Sequence, residues 1–144
     1  MRERNIRIAV IAVDLFAGLS AVAGALGLVV GYMNIPPSVL NGTPFADFTV
    51  PALLLGFVVG GSALTAAVIA LFGPQRFDAL ASAAAGCVMV GWITVEIALI
   101  GLGSWLQVAY FVVGLVMIGL AALLQWPRSN QRSEHGAVLG GEIT

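Results

Sequence analysis

Asn41-Gly42-Thr43-Pro44-Phe45-Ala46-Asp47-Phe48-Thr49-Val50-Pro51 breaks an otherwise apolar chain and leads directly into the Gly-rich hydrophobic run Ala52–Gly61. Two prolines and an Asn-Gly pair cannot continue a helix begun upstream. The stretch therefore ends one apolar segment and starts another. Working outward from it gives four such segments: Ile8 to about Val30, Val50–Phe72, Ala79–Ile100 and Trp105–Trp126. About 20 apolar residues suffice to cross a bilayer as a helix. The fold expected is all-α: a polytopic membrane protein with a four-helix transmembrane bundle and an extracytoplasmic loop over residues 31–50.

Composition points the same way. The chain has 144 residues, 60% hydrophobic and 9% charged, where soluble domains carry about 25% charged residues. The apolar surplus has to face lipid, so the bilayer itself is the first partner. A net charge of -1 gives no footing for nucleic acid. The single cysteine, Cys87, excludes an internal disulfide. Its neighbours Ala85, Gly86 and Val88 make it read as a small buried hydrophobe. The single histidine, His135, lies in the polar tail 127–144, which reads as flexible and cytoplasmic. No metal set, no cofactor motif and no activated nucleophile is present, so no catalytic residue is assigned.

The first apolar run resembles a secretory signal, with Ala21-Val22-Ala23 as an A-x-A site. Asp14 inside it, and the continuation of the run past the site, favour a transmembrane helix instead. Two starts are open for the second helix. Thr43-Pro44 reads as an N-cap followed by proline at the first helical position, which would leave Pro51 kinking the interior. A start near Asp47 or Thr49 would put Pro51 harmlessly in the first turn.

All six basic residues, Arg2, Arg4, Arg7, Arg76, Arg128 and Arg132, fall on one side of a four-span topology. The positive-inside rule then places both termini in the cytoplasm and loop 31–50 outside, with Trp105 and Trp126 as interfacial anchors. Small residues recur at helical spacing: Ala17, Ala21 and Ala25; Gly27 and Gly31; Gly56 and Gly60. Such rows let helix backbones approach closely, and they read first as contacts within the bundle.

Two acids, Asp14 and Glu96, sit inside apolar spans at an insertion cost of about 2.5–3.5 kcal/mol each. They fall in opposite halves of the membrane, with an expected axial separation of roughly 10–15 Å. An ion pair with Arg7 or Arg76 is the structural reading of Asp14. Glu96 is expected to hydrogen-bond Gln107 across the short Gly101–Ser104 turn, with Tyr110 nearby and the loop overhead. Asp47 reads as an N-terminal helix carboxylate. Asp14, Glu96, Gln107, Tyr110 and Asp47 together are the candidates for a ligand or proton site.

Thr43-Pro44-Phe45-Ala46-Asp47-Phe48-Thr49-Val50-Pro51, with Gly91-Trp92-Ile93 and Leu106-Gln107-Val108-Ala109-Tyr110-Phe111, resembles a widespread group of small four-helix bacterial membrane proteins familiar from actinobacteria. The resemblance covers most of residues 8–126. It implies the fold and a bacterial inner membrane, and supplies no activity. Small multidrug resistance transporters share the span count and an acid on the first helix. This chain departs from them in its long first loop and its one-sided arginines. The sequence thus favours an accessory or assembly subunit of a larger membrane complex, or a homo-oligomer with parallel subunits. The alternatives are a proton-coupled transporter or channel for a small solute using Asp14 and Glu96, and a membrane enzyme or lipid-handling protein under the loop.

Overall fold

The computed structural model describes residues 2–141, and side chains as far as Trp126. Four long helices carry the chain. They are α1 (Arg2–Val29), α2 (Thr49–Phe72), α3 (Gln75–Ile100) and α4 (Trp105–Gly141). Each contains a stretch long and apolar enough to cross a membrane, and no strand occurs among the described residues. The helices run up-down-up-down. α1 packs on α2 and α4, α3 packs on α2 and α4, and α1 and α3 touch across the diagonal.

Three helices are longer than their apolar runs. α1 begins at Arg2 rather than Ile8, and α3 at Gln75 rather than Ala79. α4 passes Pro127 and reaches Gly141 rather than stopping at Trp126. Hydropathy marks what can sit in hydrocarbon. The hydrogen-bonded spiral continues wherever polar residues can still propagate it. Residues 142–144 lie outside the described residues.

The helix ends follow local chemistry. α1 closes with Gly31 at φ 69°. Tyr32 N–H reaches the Gly27 carbonyl at 3.0 Å and Gly31 N–H reaches Leu28 at 3.3 Å, the paired bonds of a Schellman cap. Gly31 is therefore a cap, not a member of an interhelix row with Gly27. α2 starts at Thr49, so Pro51 lies in its first turn, where a missing N–H is harmless. Thr43 does not cap it. The Thr43 hydroxyl instead donates to the Leu40 carbonyl and accepts from Phe45 N–H, closing a local turn. α2 then widens into a π-helical segment over Leu54–Gly60 before resuming as α-helix from Gly61.

Glycine places the helix axes. A Cβ on Gly18 would lie 2.6 Å from Leu64 Cγ, and one on Gly60 2.9 Å from Val22 Cγ2. The Gly56–Gly60 pair thus seats α2 on α1, within the bundle. On the other side, a Cβ on Gly86 would meet the Gly114 carbonyl oxygen at 2.8 Å, so α3 and α4 cross backbone to backbone. Two apolar clusters fill the interior. The smaller surrounds Val10, Ala79 and Leu124, and the larger surrounds Ala17, Val59, Met89 and Met117. The outer surface is apolar along all four helices, with Phe16, Leu26, Phe57, Val68 and Val112 exposed. Trp105 and Trp126 stand outward, at 77% and 73% exposure, at opposite ends of the apolar part of α4. Cys87 also faces outward, which corrects its reading as buried.

Candidate functional site

Polar side chains inside the bundle gather at three levels. The first lies at the arginine-bearing end. Ala70 is four residues before Pro74, which has no N–H, so the Ala70 carbonyl loses its usual helical donor. The Arg7 guanidinium serves that carbonyl instead, with bonds of 2.8 and 3.2 Å. Arg7 Nε also lies 3.6 Å from Asp78 Oδ2. Asp78 is fully buried in the first turn of α3, where a carboxylate suits the helix dipole. One side chain from α1 so ties the end of α2 to the start of α3.

The second level is Asp14. The expected pairing with Arg7 or Arg76 is not what forms. Arg7 is held by Ala70 and Asp78, and Arg76 lies over the Phe77 ring at 4.7 Å. Asp14 is 0% exposed, and its Oδ1 accepts a 2.9 Å hydrogen bond from the Ser82 hydroxyl across the diagonal. Its Oδ2 is buried without a hydrogen-bond partner. Ser20, Ser62, Thr65 and Thr94 each bond back to a carbonyl of their own helix. Ser82 is the span hydroxyl that reaches across.

The third level is Glu96 at the loop end. Gln107 Nε2 donates to Glu96 Oε1 at 3.2 Å, the contact expected from the short turn. The amide does more than that. It also donates to the Gly101 carbonyl, while its oxygen accepts from Gly103 and Ser104 N–H at 3.1 and 3.3 Å. Gln107, 3% exposed, therefore staples the α3–α4 turn as well as holding Glu96. The Trp92 indole N–H, one turn before Glu96 on α3, is buried beside the same acid. Tyr110 is half-buried and packs on the larger apolar cluster.

The two acids do not share a site. Ser82, which marks the depth of Asp14, and Glu96 stand about 20 Å apart along α3 at 1.5 Å per residue, more than the 10–15 Å expected. The larger apolar cluster, with Val59, Met89 and Met117 fully buried, lies between them.

The loop is a series of tight turns rather than a cover over Glu96. Pro37–Leu40 forms one 3-10 turn, and only Leu40 among residues 31–42 is buried. A cavity of about 340 Å³ opens beneath it, lined by Gly27, Met33, Asn34, Pro36 and Phe48 among others. Glu96, Gln107 and Tyr110 are not among its lining residues. Asp47 is exposed, and its Oδ1 accepts from Thr49 N–H at 2.8 Å. That bond, with a second from the Thr49 side chain, holds the Asp47 carboxyl below the ordinary carboxylate range. A second cavity of about 210 Å³ is an apolar groove between α1 and α2, lined by Val22, Leu26, Ala52, Gly56 and Phe57.

Among the described residues, no cluster of His, Cys, Asp and Glu could hold a metal. Set against protein-family models, curated proteins and solved structures, the chain matches none of them. The geometry so defines a class, an all-helical bundle with four helices long and apolar enough to cross a membrane and with internal polar clasps.

Proposed function

We propose that this chain is a small integral membrane protein acting as an accessory or assembly subunit of a larger membrane complex. Its seat is a bacterial inner membrane, with both termini cytoplasmic and loop 31–50 outside. The observation that carries this reading is the use made of Glu96. Its carboxylate is bound by an amide that also closes the neighbouring turn, so the acid has a structural task. The apolar cluster between Glu96 and Asp14 interrupts any polar route between them. The outer face of the helices is largely apolar, and the exposed Thr65 and Thr94 hydroxyls are bonded back into their own helices, which suits lipid and neighbouring transmembrane helices packed by shape.

The test is purification of the tagged chain from its own membranes in a mild detergent, with mass spectrometry of the intact particle. The chain is expected to co-purify in fixed stoichiometry with other membrane polypeptides. A stable particle containing this chain alone would overturn the reading.

A further inference from the structure

Arg7, Asp78, Ser82 and Asp14 form one column. Asp78 and Ser82 are four residues apart on α3, and Arg7 and Asp14 seven apart on α1, so each pair shares a helix face. The Arg7–Asp78 contact and the Ser82–Asp14 bond join the two faces. The column starts at Arg7, whose side chain is 25% exposed, and ends at Asp14, which is fully buried. Beyond Asp14 stands the larger apolar cluster.

Charge along this column does not balance. On α1, Arg7 is the cation nearest Asp14, and it is engaged by Ala70 and Asp78. On α3, the facing groups are the acid Asp78 and the hydroxyl of Ser82. α2 presents Ala63, Ala66, Ala67 and Ala70 at this depth, none of them charged. α4 has no charged residue from Trp105 to Trp126, and Arg128 lies beyond the described side chains. Glu3 lies further out on α1, toward the surface. Among the described residues, Asp14 thus has one hydroxyl donor, one carboxyl oxygen without a donor, and no cation facing it. A buried carboxylate so placed keeps an uncompensated charge at high cost, and a proton on the carboxyl removes that charge within a closed interior.

We propose that Asp14 and Ser82 form a proton-binding site, closed toward the loop end by the larger apolar cluster and reached from the arginine-bearing end, past Arg7 and Asp78, when the smaller cluster around Val10 and Ala79 loosens. The proton binds the Asp14 carboxyl and is released to water at that same end. The site makes the packing of α1 on α3 sensitive to pH on one side of the membrane. This goes beyond the subunit reading and does not depend on it.

The experiment is infrared difference spectroscopy of the full chain in lipid vesicles, comparing acidic with alkaline buffer. A carboxylic acid C=O band that titrates is expected. It should be absent in Asp14→Asn, retained in Glu96→Gln, and shifted in Ser82→Ala, where its hydrogen-bond donor is gone. In sealed vesicles of uniform orientation it should respond to pH at the arginine-bearing face alone. Asn is a neutral isostere, so Asp14→Asn should keep the wild-type melting temperature in acid and lose the fall toward alkaline pH seen in the wild type. A band that survives in Asp14→Asn, or the absence of any band that this substitution removes, overturns the site. A response from the loop side alone overturns the access route.

Discussion

The Gly86–Gly114 crossing offers a sharp test of the bundle's geometry. Gly86→Ala places a methyl 2.8 Å from the Gly114 carbonyl oxygen and 2.9 Å from Ile118 Cγ1. Ordinary contact begins at 3.4 Å, so α3 and α4 must part by about 0.6 Å at this point. The main obstacle is backbone, which cannot rotate away. Overpacking of this kind costs about 1–3 kcal/mol, and the better helix propensity of alanine returns at most about 1 kcal/mol. The net expectation is a loss of about 1–2 kcal/mol. Gly91 on the same helix is the control, because a Cβ there meets nothing within 4 Å. Gly91→Ala should stay within about 0.5 kcal/mol of wild type or gain slightly. Reversible unfolding in mixed micelles, followed by tryptophan fluorescence, measures both. The Gly86→Ala, Gly114→Ala double variant should lose less than the sum of the singles, because one separation makes room for both methyls. Equal stability of Gly86→Ala and Gly91→Ala would refute the crossing.

Three further predictions use the same assay or a local one. Arg7→Met strips a donor from the Ala70 carbonyl and a cation from Asp78, and should cost about 2–4 kcal/mol, near the low end for a broken buried pair because Arg7 is partly exposed; adding Asp78→Asn should recover part of the loss in a double-mutant cycle. Gln107→Leu leaves Glu96 and two turn amides without their partner and should cost about 1–3 kcal/mol, with amide exchange at Gly103 and Ser104 accelerated; unchanged exchange would count against the staple. Asp47 has its carboxyl held below its ordinary value of 3.8 by the Thr49 bonds, so the stability it contributes is present above that value and is lost as pH falls through the lower folded value. Protection of the Thr49 amide should follow that acid-side loss in wild type and show none of it in Asp47→Asn.

The sequence made the four spans legible because each is a long apolar run between residues that stop helices. Glu96–Gln107 was legible too, since a short turn forces its flanking helices side by side and fixes the depth of both residues. Rotation about the helix axis was harder to read. These helices are apolar nearly all round, so no polar face marks the outside, and Cys87 reads from its neighbours as buried although it faces outward. The rotation is instead set by distant glycine contacts, Gly18 and Gly60 on one side and Gly86 and Gly114 on the other. Those contacts turn Ser82, rather than an arginine, toward Asp14. The pattern that could have revealed the column was present: Asp78 and Ser82 at i, i+4 facing Arg7 and Asp14 at i, i+7, with Pro74 leaving the Ala70 carbonyl open to Arg7.

Asp14 and Glu96 serve separate internal sites with an apolar core between them. Proton flux measured directly in sealed liposomes holding the purified chain, under an imposed pH gradient, tests it. Flux no greater than in protein-free liposomes is expected, unchanged by Asp14→Asn or Glu96→Gln. A protein-dependent flux abolished by both substitutions would contradict it.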